Sequence, residues 1–153
     1  MKLRRLAALL LCLGLLAGLA GCAGDAVQIS VWRRSEGSVA VPESRRLPAG
    51  TELIAGLAAA FNSEPDEPGL TRAAPEGADI LGWRLEGVEL KLEVSQGWAE
   101  LEGFERTVAE GCAVLTFCGI EGIERVSFYL LGQRLGPAMD AGDLILAAEM
   151  EAE

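Results

Sequence analysis

The sequence has no histidine. That removes the side chain most used as a general base near neutral pH and the commonest zinc ligand. Lysine is nearly missing as well. After Lys2 the chain has only Lys91, set between Glu89 and Glu93 on an alternating segment where it reads as solvated. A serine–lysine arrangement therefore has little to draw on. Carboxylates are plentiful but scattered, whereas glycosidase chemistry needs two at a defined separation in a cleft. These absences argue against an enzyme. They leave no expected catalytic residue, no metal and no cofactor.

Basic residues are in the minority: 13 against 23 acidic, a net charge of −10. Without Lys2, Arg4 and Arg5 the balance is 10 against 23, or −13. Such a charge argues against nucleic acid and anionic lipid headgroups as partners. It suits a solvated acidic surface or a basic protein partner.

Long apolar runs occur only at the start. Lys2, Arg4 and Arg5 precede an apolar and glycine stretch from Leu6 to Ala20, the layout of a secretory signal. At about 15 residues it is short of the roughly 20 that span a bilayer as a permanent helix. Leu19-Ala20-Gly21-Cys22 resembles a bacterial lipobox. That resemblance implies cleavage before Cys22 and a diacylglycerol thioether on its sulfur, with palmitate among the acyl chains. Residues 1–21 are then a lipoprotein signal peptide, and 22–26 a lipidated N-terminus and short tether. Two acyl chains suffice for stable anchoring. Five extended residues reach at most about 17 Å, which holds the domain near the membrane surface.

Of four cysteines, Cys12 leaves with the signal and Cys22 takes the lipid. Cys112 and Cys118 remain. Phe104, Val108, Cys112 and Leu115 share a helical face, predicting a helix from about Phe104 to Cys118 that stops at a C′ glycine, Gly119. Six helical residues put the two Cα atoms roughly 10 Å apart, beyond the ~7 Å reach of a disulfide. The spacing is not C-x-x-C. Two packed thiols are the favoured reading; a disulfide needs the helix to break before Cys118, and metal or redox chemistry needs ligands the chain does not offer.

The rest predicts one small α+β domain in the order β-β-α-β-β-α-β, with two helices on one face of a mixed or antiparallel sheet. Val27, Ile29 and Val31 alternate in a half-buried strand. The segment Val39–Arg46 is extended, with Pro42 marking an edge. A helix capped by Thr51 buries Leu53, Ile54, Leu57 and Phe61, with Gly56 inside it. Residues 62–79 read as a long loop, and Ser63–Glu76 as a contact surface. Ile80, Trp83 and Leu85 lead through a turn at Glu86-Gly87 into Val88, Leu90, Leu92 and Val94, a β-hairpin. Val126, Phe128 and Leu130 share one strand face. No internal repeat is present.

Several segments together resemble the GerMN domain of spore-germination and sporulation proteins, found in exported proteins and lipoproteins of Gram-positive bacteria. Pro75, Gly77, Ile80, Leu81 and Gly82 match its proline-glycine entry; Val88 to Ser95 match the strand after it. Ala113, Val114, Leu115 and Thr116 match a helix loosely. Gly122, Ile123, Val126, Phe128, Leu130 and Gly132 match a later strand, and Ile54 to Phe61 an upstream helix. The similarity covers Val27 to Gly136, so residues 27–136 are expected to be the domain and 137–153 an acidic C-terminal tail. One departure stands at "AAAFNSEPDEP", where the family often has a glycine-proline turn. The resemblance implies a ring-building-motif-like α/β unit with roles in assembling and stabilising envelope complexes, and no established catalysis.

Two functions follow as expectations. One is a lipid-anchored assembly protein on the extracytoplasmic face of the membrane, in sporulation, germination or envelope-complex stabilisation. Its partners are the membrane through Cys22 and envelope proteins or further copies of itself. Arg33, Arg34, Arg45 and Arg46 stand out on an acidic domain; they either meet an acidic partner or balance local charge. The alternative is a cell-wall glycan or small-ligand binding lipoprotein. It would use Trp32, on the polar phase of its strand, with Trp98; Trp83 is expected in the core.

Overall fold

The computed structural model describes residues 26–36 and 38–144. The expected signal, lipidated cysteine and tether up to Asp25, and the last nine residues, lie outside the described residues. Among the described residues no helix is long and apolar enough to cross a membrane.

The chain runs β1 (Val27–Ser35), β2 (Ser38–Leu47), α1 (Leu53–Asn62), β3 (Leu70–Thr71), β4 (Ile80–Glu86), β5 (Glu89–Val94), α2 (Gln96–Ala99), α3 (Gly103–Phe117), β6 (Arg125–Leu130) and β7 (Gln133–Arg134). The α+β class holds, but the single sheet does not. There are two sheets, with strand orders β2-β1-β3 and β4-β5-β6-β7. All pairs are antiparallel except β5 with β6, where Glu89 faces Arg125 and Leu92 faces Phe128. A parallel pair needs a crossover, and α2 and α3 supply it. Helix α1 packs on β1 and β4, and α3 on β1 and β6, so each bridges both sheets, and the helices touch.

Helix α1 begins one residue later than expected. Glu52, not Thr51, is its N-cap, and its carboxylate accepts from the Ile54 and Ala55 amides at 3.1 and 2.7 Å. An anion there also suits the helix dipole. Gly56 allows a close crossing, since a Cβ would stand 2.6 Å from Cδ1 of Leu47.

Helix α3 is rotated from the predicted phase. Val108, Ala109, Cys112, Ala113, Thr116 and Phe117 are buried, whereas Phe104 is 58% exposed. The glycine stop is also different. The helix does end with Cys118 as C-cap, but Gly119 is not left-handed; the positive φ of 89° falls at Gly122. The buried face of α3 closes the side of β1 that has no long partner strand. Thr116 Oγ1 accepts the Trp32 amide at 2.9 Å and donates to the Cys112 carbonyl at 2.7 Å.

Cys112 and Cys118 form no disulfide with each other; the first lies in the core and the second is half-buried against it. Burial pushes the Cys112 thiol up to about 12, outweighing the lowering effect of Arg33 and Arg34. Burial raises Cys118 too. Thiolate is the reactive form. At pH 8, peptide mapping of alkylated native protein is expected to find Cys118 modified well ahead of Cys112, which should react only on unfolding. Equal rates would contradict this packing.

The segment "SQGWAELEG", between the hairpin and α3, holds the centre of the core. The single turn α2 presents Trp98, 0% exposed, to Phe128 at a 5.2 Å centroid distance and to Phe61 at 6.1 Å. Its neighbour must be glycine: a Cβ on Gly97 would lie 2.4 Å from the Gly77 carbonyl oxygen. The chain also stays folded past Gly136. Met139 exchanges backbone bonds of 2.9 Å with Val126, and Leu144 packs on the core, so residues 137–144 belong to the domain and not to a tail.

Candidate interaction site

Three of the four arginines singled out from the sequence turn inward or sideways. Arg33 continues the buried phase of β1 after Ile29 and Val31, and is 0% exposed. Its Nε donates to Glu43 Oε2 at 2.8 Å, and its Nη groups donate to the carbonyls of Ala60, Phe61 and Ser63 at 2.8 to 3.0 Å. Those carbonyls close the C-terminal end of α1, where a cation is favoured. Burial alone would push Glu43 up. The Arg33 hydrogen bond, the amides of Asp66 and Glu67 and the Arg33 charge together hold it below the ordinary carboxylate value.

Arg45 grips Asp66 through Nε and Nη2 at 2.9 and 2.6 Å. Arg34 lies over the Phe104 ring, 5.6 Å from its centroid. Only Arg46 of the four is exposed. The acidic-partner expectation therefore fails for Arg33, which a partner cannot reach, and Arg45 balances local charge. The same bonds tie down the segment expected to be a free loop. Residues 62–79 include β3, paired with β1, and the buried Ala73, Ala74 and Ala78.

The expected aromatic pair does not form a platform. Trp98 is buried in the core, and Trp32 is half-buried against it. Trp83, expected inside, is 40% exposed. A bulge between Ile80 and Gly82 and the position of β4 at the sheet's rim explain this. Trp83 pairs with the buried Leu92 but, among the described residues, has no further strand beside it. Glycine within a strand pattern is a bulge signal, and Gly82 supplied it.

Strand β4 is the site that sequence reasoning missed. At its start, the Asn62 amide donates to the Ile80 carbonyl at 2.8 Å and accepts the Ile80 N–H at 2.9 Å, standing where a neighbouring strand would. Beyond that, among the described residues, the backbone of residues 81–86 bonds only to β5. Leu81, Trp83 and Leu85 are 67, 40 and 43% exposed along it. Small side chains on α1 leave a groove of about 340 Å³ beside the strand, lined by Ala55, Ala58 and Ala59 on one side and Leu81 and Trp83 on the other. Edge strands are ordinarily blunted by charge, proline or cover. Here an edge, apolar side chains and a groove coincide, the arrangement that accepts an added strand.

On the outward face, Lys91 is not simply solvated between Glu89 and Glu93. It pairs with Glu86, whose carboxyl is held low by that hydrogen bond and by the charges of Arg84 and Lys91. Glu89 turns instead to Ser127 and Arg134. Among the described residues no group of three acidic or cysteine side chains is placed to hold a metal ion.

The architecture is similar to solved GerMN domains. The first GerMN domain of the sporulation protein GerM from Bacillus subtilis superposes with a TM-score of 0.60 at 12% identity, covering 71% of this chain and 85% of that one. The tandem GerMN domains of the same protein give 0.59 at 17% identity, covering 78% of this chain and 49% of theirs, so this chain spans about half of the tandem. No family model matches the sequence, and no curated protein matches it either. The likeness is one of fold, and the fold is the GerMN fold.

Proposed function

We propose that this protein is a lipid-anchored, extracytoplasmic assembly module without catalytic activity, joining envelope protein complexes in sporulation or germination. The observation that carries the reading is the unpaired apolar edge of β4 on a fold shared with a domain of a sporulation protein. Cys22 supplies the anchor and its two acyl chains the membrane affinity. Strand β1 starts at Val27, so the domain stays close to the bilayer. The lack of histidine and the near lack of lysine support a non-catalytic role.

The test uses the full chain in its own cells, with a photo-crosslinking residue in place of Leu85 and, as a control, of Arg46. The expected result is repeated capture of a small set of envelope proteins, or of the protein itself, from position 85 and not from 46. Cys22→Ser should release the protein from the membrane fraction and abolish capture. Capture without preference for β4, or none from either position, would overturn the assembly reading. A Cys22→Ser protein that stays on the membrane would overturn the anchor.

A further inference from the structure

The outward face of the second sheet holds a second arrangement, separate from the α1–β4 groove. Arg84 and Lys91 face each other across β4 and β5. Like charges in that position repel. Glu86 holds both, accepting from Arg84 Nε at 2.7 Å and from Lys91 Nζ. One strand over, Glu93 lies beside Tyr129, and Lys91 Nζ stands 5.8 Å from the Tyr129 ring centroid. Trp83 at the rim, Arg84, Lys91, Glu93, Tyr129 and, at the far end, Gly132 line an open hollow of about 270 Å³.

The far end is strained. The β6–β7 turn puts Leu131 at φ 49° and Gly132 at φ 77°. A leucine in the left-handed region costs about 1–2 kcal/mol. Leu131 is 87% exposed, so packing does not offset that cost. The turn is held toward the hollow by the Gly132 amide, which donates to Glu93 Oε1 at 3.2 Å. Both positive values are those of a two-residue type I′ hairpin turn between Leu130 and Gln133, which sets Gly132 at the end of the hollow.

The chemistry of the lining selects the ligand. Arg84, Lys91 and Glu93 line the hollow, and Glu86 beside it is already paired with both cations, so little net charge is left to attract an anion. An apolar ligand would take water from charged groups and return no hydrogen bond. A polyhydroxylated ring meets both demands. Its C–H face lies on Tyr129 and the Trp83 rim, its hydroxyls donate to Glu93, and its oxygens accept from Arg84 and Lys91. The volume is just under the roughly 300 Å³ at which drug-sized sites begin, which suits one ring of a longer chain.

We propose that this hollow is a glycan subsite for one uncharged pyranose ring, plain or N-acetylated.

The test titrates chitotetraose and cellotetraose into the full chain, held in a zwitterionic detergent without a sugar headgroup, and follows the tryptophan indole N–H resonances. The expected result is a saturable shift of the Trp83 resonance with at least one glycan, the Trp98 resonance staying in place. Tyr129→Leu and Lys91→Met should each weaken binding about tenfold, as loss of one aromatic or charged contact does. Arg46→Met should not. Trp83 borders the β4 groove as well, but Tyr129 and Lys91 border only the hollow, so these variants separate the two surfaces. An unmoved Trp98 resonance in each variant reports an intact core. The proposal is overturned if neither glycan gives a saturable shift, if both variants bind as the parent does, or if only an anionic probe such as trigalacturonate binds.

Discussion

Replacement of Arg33 by methionine is expected to lower the unfolding free energy by about 3–5 kcal/mol, the usual result of removing one partner of a buried ion pair. A domain this small has only about 5–15 kcal/mol in total, so the variant should melt early or fail to fold. The loss has two parts. The Glu43 carboxylate would be left at 0% exposure with only the more distant Arg45, 3.9 Å away, to balance it, and the carbonyls of Ala60, Phe61 and Ser63 would lose the Arg33 donors. The pair Arg33→Met with Glu43→Leu should recover much of it, because no charge is then left buried alone.

The pH dependence follows from Glu43. Its folded pKa lies below the ordinary value of 4.5, so it adds stability above that value, lost as pH falls through the folded pKa. In Arg33→Met the carboxyl loses two of the causes that hold it low, so it titrates higher than in the parent and protonation costs the fold less. The deficit measured by urea denaturation should therefore narrow as pH drops below about 4.5. A deficit that stays constant with pH would mean that lost packing, and not the orphaned carboxylate, is the cause.

Trp98→Ala is expected to cost a similar amount, about 3–5 kcal/mol, through the cavity it leaves. The indole joins α2 to the rings of Phe61 on α1 and Phe128 on β6, so the change strikes where two helices and the second sheet meet. Trp98→Phe should cost clearly less. It keeps a ring in place and removes Nε1, a buried N–H with no acceptor among the protein atoms around it. Thermal denaturation of the three proteins decides the order. A phenylalanine variant no better than alanine would show that the indole's size, and not an aromatic contact, holds the centre together.

What the sequence disclosed depended on range. The β4–β5 hairpin was visible because its alternation is local and clean, as was the helix over Leu53 to Phe61. The division into two sheets was not visible, since pairs such as Arg34 with Thr71 leave no periodic trace. A four-residue turn like α2 is too short to show a period, so nothing in the pattern marked Trp98 as core rather than as a partner for Trp32. Arg33 is a different kind of miss. Its place after Ile29 and Val31 marked it as inward, and its charge was allowed to override the phase. At the candidate site, Leu81, Trp83 and Leu85 were legible as apolar, but only topology shows that, among the described residues, no strand pairs with the outer edge of β4.

The contact between Thr116 and the Trp32 amide spans 84 positions of chain. Its consequence is kinetic. The β1–β2 hairpin closes a short loop and can form early, whereas its cover arrives only when α3 does, after most of the domain has been delivered. For a chain that emerges from a membrane pore N-terminus first, β1 would wait with an open flank while the rest follows, the interval in which unpaired strands stick to one another. On the lipid-anchored, extracytoplasmic reading proposed above, that interval is the step at which a holding chaperone would matter most.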